Sequence, residues 1–421
     1  MKEKKEFDLI VVGGGTAGAI AAISAARENL NVAIIEPNYF LGGISTGSGL
    51  TEMNAAGFEG KEIYGGIVKE IFDELIENRA GEYHFRVPMS SDPNVKIDRL
   101  RYNPEVLKLI LEKKALKEGI TLFYGANMVE GTEDDTEFKV KINQGDKENV
   151  ITSSYLIDAT GECKVAKMLG YETKENDKLF IATLMFSMGN VDIDTLKELI
   201  ENKGIRPILE KGYKKGILKG KILALTPIPN TNKVSVNVTR IKVNHEDPMS
   251  LSESYIEGRK QIREIIPFLK SEVLGMENSY LSEVSSIMGI RDARKLVGEY
   301  ELTLDDLEQM KDFDDSIAIG GYPMDLHDPI TNNVIWKTMP GLYKIPYRSI
   351  VPKNSKRMLS IGRGISATDN AFAAIRVMPI VMNVGESAGY AIAFANKNKS
   401  NVLEIDKNEL RTYLREKGIN I

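Results

Sequence analysis

Cysteine is nearly absent from this chain, in which Cys163 is the only one among 421 residues. A single thiol excludes an internal disulfide, a C-x-x-C redox pair and a cysteine-ligated iron–sulfur cluster within the chain. Cys163 stands where a helix is expected to start, and the sequence favours a small packing residue over a thiol of lowered pKa. Histidine is also scarce, with three residues and no H-x-x-x-H spacing, so we predict no metal site.

Long hydrophobic runs and an excess of basic charge are absent as well. The longest apolar stretch, residues 371–395, is interrupted by Arg376, Asn383 and Glu386, which is not typical of a membrane span. The net charge of −5 gives no basic field for nucleic acid, and no charged-then-apolar signal region precedes Phe7. We therefore expect a cytoplasmic protein of two domains that binds neither membrane nor nucleic acid, with its oligomeric state left open.

What the sequence does contain is a strand, a glycine turn, a helix and a second strand within its first 36 residues. Residues 7–12 form an apolar strand, and the turn that follows has the G-x-G-x-x-G spacing. Its glycines permit a tight turn, a close approach to a pyrophosphate and close packing of the helix on the strand. The second strand, residues 32–35, ends at a glutamate that can accept hydrogen bonds from ribose hydroxyls. The residues predicted to bind a dinucleotide here are Gly13, Gly15, Thr16, Ala17, Gly18 and Glu36.

Later segments resemble the FAD-dependent oxidoreductases, relatives of the fumarate reductase and succinate dehydrogenase flavoproteins. Residues 36–43 resemble the acid-then-Gly-Gly extension of the glutathione-reductase-type FAD proteins, and residues 155–161 and 357–368 resemble two further strands of that superfamily. The resemblance extends nearly from end to end, through residues 289–294, 321–327, 345–349 and 374–379. It implies FAD as cofactor and adds these contacts: Gly42, Gly43, Val129 (beside the adenine), Ala159, Thr160, Gly161, Gly362 and Arg363.

Two departures from the family pattern limit what the resemblance implies. Asp369 stands where the family would have the histidine of Ala-Thr-His, so no role of that histidine is carried over. Residues 44–49 lack the histidine that holds flavin in the succinate dehydrogenase flavoproteins, so the FAD is expected to be bound non-covalently.

Met378 and Pro379 begin the last long helix, because proline fits the first helical position. In the superfamily this helix N-terminus points at the pyrimidine end of the isoalloxazine. Its partial positive charge would then stabilise the negative charge that develops there on reduction.

The expected architecture is an α/β fold. It comprises a Rossmann-like FAD-binding domain of the glutathione-reductase type with a parallel sheet, an antiparallel meander and an inserted α+β substrate domain. Alternating segments at 138–142 and 150–156 indicate the meander. The pattern changes near Phe180 and is expected to return near Ser285. The predicted boundaries are therefore 1–180 and 285–421 for the FAD-binding domain and 181–284 for the inserted domain.

Hydride transfer needs a group that moves a proton and, for an anionic substrate, a cation that anchors it. His327 lies between Asp325 and Asp328, whose carboxylates could orient the imidazole or raise its pKa. Arg376 lies in an apolar run and needs a partner, either the substrate or a carboxylate such as Asp369. The catalytic candidates are His327, Arg376, Arg291 and Arg348, of which Arg291 could share a helix face with Arg294.

No second G-x-G-x-x-G follows a strand, so a dedicated NAD(P)H domain is not expected. The sequence favours a dehydrogenase or reductase that transfers a hydride between a small organic substrate and flavin N5 and exchanges electrons with a separate carrier. Two alternatives stay open. One is a flavin-dependent reductase of unsaturated lipid or isoprenoid substrates, and the other is a non-catalytic FAD-containing scaffold of a complex.

Overall fold

The structure, a computed structural model, describes residues 5–89, 92–175, 180–202, 204–327 and 334–421. The strands in chain order are β1 (Glu6–Val12), β2 (Val32–Glu36), β3 (Glu52–Asn54), β4 (Gly57–Phe58), β5 (Lys61–Glu62), β6 (Gly81–Pro88), β7 (Lys96–Tyr102), β8 (Thr121–Tyr124), β9 (Ala126–Glu133), β10 (Phe138–Gln144), β11 (Lys147–Asp158), β12 (Thr173–Lys174), β13 (Phe180–Ala182), β14 (Phe186–Gly189), β15 (Ala224–Pro227), β16 (Val234–Asn237), β17 (Ile241–Val243), β18 (Tyr280–Val284), β19 (Lys295–Leu296), β20 (Ser316–Gly320), β21 (Met324–His327), β22 (Val334–Lys337), β23 (Tyr343–Pro346) and β24 (Met358–Ser360).

The helices connect these strands and cover the sheets. They are α1 (Thr16–Arg27), α2 (Ile44–Gly47), α3 (Gly66–Glu77), α4 (Pro104–Lys117), α5 (Lys164–Met168), α6 (Ile193–Asn202), α7 (Arg206–Lys214), α8 (Pro248–Glu272), α9 (Leu304–Glu308), α10 (Asp369–Ile375), α11 (Met378–Asn398) and α12 (Lys407–Glu416).

The central sheet has the strand order β8-β2-β1-β11-β10-β9, with β24 also paired to β11. Strands β8, β2, β1, β11 and β24 run parallel, whereas β9, β10 and β11 form an antiparallel meander. The apolar residues of β1 and β2 are buried because helices cover the sheet. The predicted mixed α/β fold, with its parallel sheet and meander, is confirmed.

The register of the parallel strands places four carboxyl ends at one edge of the sheet. Val12 lies beside Ile35 in β2 and beside Asp158 in β11, and Asp158 lies beside Ser360 in β24. Segments that are more than 300 residues apart in sequence therefore begin their loops at the same place. In an open α/β sheet this edge is where ligands bind.

Helix α11 crosses α1 at close range through small residues. A Cβ atom at Gly385 would overlap with the carbonyl oxygen of Ala17, and one at Gly389 would overlap with the carbonyl oxygen of Ala21. Most of α11 is buried. This contact joins the start of the chain to its last long helix.

A second hydrophobic core is formed by residues between Ala182 and Met288. It lies between the antiparallel sheet β15-β16-β14-β18 and helices such as α6, α7 and α8. The interval coincides closely with the inserted domain that the sequence predicts, although the exact boundaries stay a prediction.

Two local expectations differ from the structure. The apolar character of residues 181–188 predicts one strand, but the structure divides them between β13 and β14, which belong to different sheets. Arg291 and Arg294 do not share a helix, since residues 289–294 contain none. Arg294 instead donates to Glu162 O and pairs with Glu246.

Among the described residues, no single helix combines the length and apolarity that a bilayer crossing requires. Helices α10 and α11 meet that test only together, and they bend by 92° where they join.

We expect Gly389→Ala to lower the free energy of unfolding by about 1–3 kcal/mol, because the added methyl group would overlap with α1. The cost of the overlap should exceed the gain of about 1 kcal/mol by which alanine is favoured over glycine inside a helix. Urea denaturation measures the change. Lys397→Ala, at the exposed end of the same helix, is the control and should stay within about 0.5 kcal/mol of the unsubstituted protein. A more stable Gly389→Ala protein would disprove the close contact.

Glu386 of α11 predicts a pH dependence of stability. Its carboxylate accepts the backbone N–H groups of Ile67 and Val68 at the start of α3, at 2.7 and 3.3 Å. Burial raises its pKa from 4.5 to about 7, so between these pH values the folded chain binds more protons than the unfolded one. Its contribution to stability is therefore present in full below pH 4.5, declines as pH rises and is lost above pH 7.

Between pH 4.5 and pH 7, the free energy of unfolding of the unsubstituted protein should fall by about 1–3 kcal/mol relative to that of Glu386→Gln. Denaturation at a series of pH values measures it. Glu404→Gln, at an exposed position, should show no such slope. A flat difference for Glu386→Gln would contradict the assignment.

Candidate functional site

The glycine turn after β1 has the geometry that its spacing predicts. Gly13 has a φ of +101°, and its N–H donates to Ile35 O at 2.8 Å. A Cβ atom at Gly18 would overlap with Gly13 O, so the third glycine allows the helix to pack on the strand. A Cβ atom at Gly15 would meet nothing within 4 Å, because this position opens onto a cavity.

Glu36, at the end of β2, is buried at the same edge of the sheet. One carboxylate oxygen accepts the N–H of Gly14 at 2.8 Å, and the other accepts the backbone and side-chain N–H groups of Asn38 at 2.9 and 2.6 Å. Burial raises its pKa. A carboxylate offers about four acceptor positions, so these three bonds leave capacity for one more donor.

The loop after β11 is held by the buried carboxylate of Asp158. It accepts the backbone N–H and hydroxyl of Thr160 at 3.0 and 2.6 Å, and the N–H groups of Val165 and Ala166 at 3.0 and 2.9 Å. Ala159, Thr160 and Gly161 consequently line the cavity.

The loop after β24 approaches the same place. Gly362 has a φ of +73°, and Arg363 lies over Gly161, with its Nε 3.0 Å from the position of a Cβ there. Arg363 donates to Ile290 O and lies 3.9 Å from Glu162. Both Gly362 and Arg363 line the cavity.

The cavity itself has a volume of about 990 Å³ and connects the four sheet-edge loops with the second core. Of the predicted cofactor residues, those that line it are Gly13, Gly15, Thr16, Ala17, Glu36, Gly43, Ala159, Thr160, Gly161, Gly362, Arg363 and Met378. Gly18, Gly42 and Pro379 lie behind this lining. Gly42 bonds the glycine turn through its N–H, which donates to Gly14 O at 2.8 Å.

Val129 does not line the cavity and is 45% exposed. The register between β9 and β10 shifts at this point, where Lys141 pairs with Glu130 and Ile142 with Met128, so Val129 is the extra residue of a bulge. Asn127 and Met128 line the cavity in its place.

His327, at the end of β21, lies in a partly buried cluster of charged groups. Its Nδ1 is 3.1 Å from Arg240 Nη1, and its Nε2 is 3.1 Å from Asp325 Oδ1. A guanidinium can only donate, so Nδ1 accepts and the proton is on Nε2. Burial and the charge of Arg291 lower the pKa of His327 to about 3.

Asp325 contacts the imidazole and raises the pKa of His327, as the sequence predicts, but burial and arginine charge outweigh this effect, so the net shift of that pKa is downward. Asp328, the other carboxylate considered, lies outside the described residues. Burial raises the pKa of Asp325 itself, but His327, Arg376 and Arg291 outweigh burial and hold that pKa below its usual range.

Arg291, Arg376 and Asp325 all line the cavity. Arg376 donates to Asp325 O at 2.9 Å and lies 3.4 Å from Asp325 Oδ2, whereas Asp369, the partner considered from the sequence, pairs with Lys295. Arg291 donates to Ile181 O at 2.8 Å and to Thr183 Oγ1 at 3.2 Å, both of which are neutral. Burial, Arg240 and Arg376 lower the pKa of Arg291.

A second charged group lies on the wall formed by β3 and β7. Arg99 and Arg101 share Glu52, with Arg99 Nη1 and Arg101 Nε at 3.0 and 3.2 Å from Glu52 Oε1. All three line the cavity, because alternate residues of a strand face the same side. Arg291, Arg376 and Asp325 line the same cavity, so the four arginines of these two groups outnumber their two carboxylates, Glu52 and Asp325.

Arg348 is not part of this cluster. Its Nε lies 2.8 Å from Asp315, and it does not line the cavity.

Cys163 is buried and burial raises the pKa of its thiol to about 12, as suits a packing residue. Within the described ranges, no three His, Cys, Asp or Glu side chains are grouped so as to hold a metal ion.

Sequence reasoning missed Arg240, Thr183, Tyr322 and the Glu52–Arg99–Arg101 group. No motif surrounds Arg240 or Thr183, which reach the cluster only through folding. A signal existed for the wall, since Glu52 and Asn54, and Arg99 and Arg101, follow the period of two that is typical of a strand face.

Comparisons with known proteins agree with this geometry. A family model described as FAD dependent oxidoreductase matches residues 8–414. The tRNA uridine 5-carboxymethylaminomethyl modification enzyme of Karelsulcia muelleri is 31% identical over 122 residues, which are 26% of this chain and 18% of that protein. Dihydrolipoamide dehydrogenase of Chaetomium thermophilum is 28% identical over 195 residues, which are 44% and 33% of the two chains.

Among solved structures, a geranylgeranyl bacteriochlorophyll reductase-like protein of Thermoplasma acidophilum is similar with a TM-score of 0.51. Its identity is 14%, and the match covers 99% of this chain and 85% of that one, so this likeness concerns the fold alone. The matches cover less than half the length of each of these two curated relatives.

The charged cluster predicts that His327 stays neutral down to about pH 3. Replacement of Arg291 by Met should raise the pKa of His327, because a nearby positive charge is removed. Imidazole NMR titration measures both values, and His84→Asn and His245→Asn identify the signals of the other two histidines. Arg348→Met, outside the cluster, should leave the His327 titration unchanged. A His327 signal that titrates near pH 6.5 in the unsubstituted protein would show that the cluster does not hold it neutral.

Proposed function

The chain belongs to the FAD dependent oxidoreductase family, and from that premise we propose that it is an enzyme that transfers a hydride between FAD and a small organic anion. One observation carries the proposal. Arg291, Arg376 and His327 face the same cavity as the glycine turn, so an anion bound there would lie in the same enclosed space as the cofactor.

The residues at the sheet edge fit FAD. The open position at Gly15 provides room for a pyrophosphate beside the N-terminus of α1, and Glu36 keeps an acceptor position for a ribose hydroxyl. The remainder of the FAD would be held by the loops after β11 and β24, through Ala159, Thr160, Gly161, Gly362 and Arg363. We propose non-covalent binding in the manner of the glutathione-reductase-type proteins.

When bound, FAD supplies the position that accepts or donates the hydride. The N-terminus of α11 opens onto the cavity at Val377 and Met378, and its amide groups favour negative charge there. The protein therefore places a helix N-terminus and the arginine cluster on the same cavity.

Arg291 and Arg376 anchor the substrate in this proposal. Arg291 has only neutral hydrogen-bond partners among the described residues, so an anion would supply the charged hydrogen-bond partner that those residues do not. Arg376 is held in place by Asp325. Two arginines on one side of the cavity would fix the orientation of a carboxylate as well as its position.

His327 is neutral in the free site and does not act as an acid there. A bound anion would offset the positive charge of Arg291 and raise the pKa of His327, which would allow it to hold a proton during the reaction. Arg240 is a positioning residue, because its bond to Nδ1 keeps the proton on Nε2.

The other half of the reaction requires a source or acceptor of electrons. The sequence has no second dinucleotide-binding glycine motif after a strand, and we propose that a separate electron carrier exchanges electrons with the enzyme.

The proposal predicts a yellow protein whose absorbance is bleached anaerobically by a small organic acid and not by the corresponding alcohol. If the enzyme works as a reductase, the chemically reduced protein should be re-oxidised by an unsaturated acid. Arg291→Met should lower kcat/KM about 10–100-fold, the effect of losing a charged hydrogen bond. Arg348→Met is the matched control and should leave kcat/KM unchanged. Equal activity toward neutral alcohols, or an unaffected Arg291→Met enzyme, would refute the anionic substrate.

A further inference from the structure

The cavity is also lined by apolar side chains that the proposed hydride chemistry does not use. We call this part of the lining the apolar arm and define it by Met89, Ile200, Ile205, Ile222, Leu225 and Trp336, all of which line the cavity. Met89, Ile222 and Trp336 are only partly buried, so they face open space in addition to the core.

The apolar arm adjoins both charged groups, the His327 cluster through Tyr322 and the Glu52–Arg99–Arg101 group directly. The ring of Trp336 lies 6.2 Å from that of Tyr322, whose hydroxyl donates to Asp325 at 3.1 Å. The sulfur of Met89 accepts from Arg99 Nη2 at 3.4 Å. The apolar and the charged residues of the cavity lining are therefore neighbours at Trp336 and at Met89.

Separate parts of the chain build the arm. Met89 follows β6, Ile200 and Ile205 come from α6 and the residue before α7, and Trp336 lies on β22. These segments converge on the cavity beside the cationic end, which is the arrangement that a ligand with one charged and one apolar part requires.

We propose that the substrate is an amphipathic organic anion, an acid group carried on an apolar chain or ring. The acid group binds Arg291 and Arg376, and the apolar body lies along the apolar arm. The inference rests on the proposed function and specifies the part of the substrate that the function leaves open.

Each simpler ligand would leave one wall of the cavity without a partner. A short polar acid would satisfy the arginines but leave the surfaces of Trp336, Met89 and Ile222 against water. A neutral lipid would cover those surfaces but displace water from arginines that then find no anion, which costs free energy. Only a molecule with both parts matches both walls.

Trp336 makes this testable without turnover, because it is the only tryptophan in the chain. We would follow its fluorescence in the FAD-loaded protein during titration with octanoate, butanoate and octan-1-ol. Octanoate should bind at least tenfold more tightly than the other two, because each buried methylene contributes roughly a fourfold gain in affinity and the alcohol lacks the charge.

Paired variants distinguish the two walls. Ile222→Asp places a carboxylate in the apolar arm and should weaken octanoate binding at least tenfold, whereas Ile335→Asp, at an exposed position next to Trp336, should not. Arg291→Met should abolish the preference for octanoate over octan-1-ol.

Equal affinities for butanoate and octanoate would overturn the inference and leave the proposed anion site standing. Equal affinities for octanoate and octan-1-ol would overturn both. Octanoate binding as expected, in a protein whose flavin no acid reduces and no unsaturated acid re-oxidises, would refute the proposed hydride transfer and retain the amphipathic site.

Discussion

The parallel pairing of β1 with β2 and β11, and of β11 with β24, is the constraint on which the cofactor site depends. Parallel strands in register place their carboxyl ends together, so the glycine turn, Glu36, the Ala159–Gly161 loop and Gly362 meet without being neighbours in sequence. Asp158 then fixes one of these loops by accepting four hydrogen bonds. A change of register by one residue would move every one of these groups relative to the others.

Helix α11 connects this edge of the sheet to the rest of the protein. Its glycines allow close contact with α1, its N-terminus opens onto the cavity, and Glu386 accepts the first N–H groups of α3. Because α11 packs on α1 and its N-terminus lines the cavity, this one buried helix fixes the position of that N-terminus relative to the glycine turn. Small residues are required here because a methyl group would separate the two helices.

Charge in the cavity is arranged so that the protein alone does not neutralise it. Cations held near one another in a buried site are unfavourable unless anions compensate them, and the two carboxylates offset only part of the four arginines. The region of the second core does more than cover the site, because Arg240 sets the tautomer of His327 and Thr183 orients Arg291. The cationic end and the adjacent apolar arm together describe the ligand more narrowly than the cofactor fold can.

Local rules explain what could be predicted from the sequence. The glycine turn and the alternating strands of the meander depend on residues that are close in sequence, and both were confirmed. The cluster depends on distant residues. Arg291 and Arg348 looked equivalent, yet Arg348 pairs with Asp315 outside the cavity, and Val129 was displaced by a bulge that no local pattern announces.

The sequence by itself determined the dinucleotide-binding unit, the family and the mixed α/β architecture, because turns, caps and strand periodicity act over a few residues. Only the tertiary structure decided which arginines share the cavity, that His327 is neutral, and that an apolar arm adjoins the charges. Burial and charge–charge distance set these properties, and both depend on which remote segments the sheet brings together.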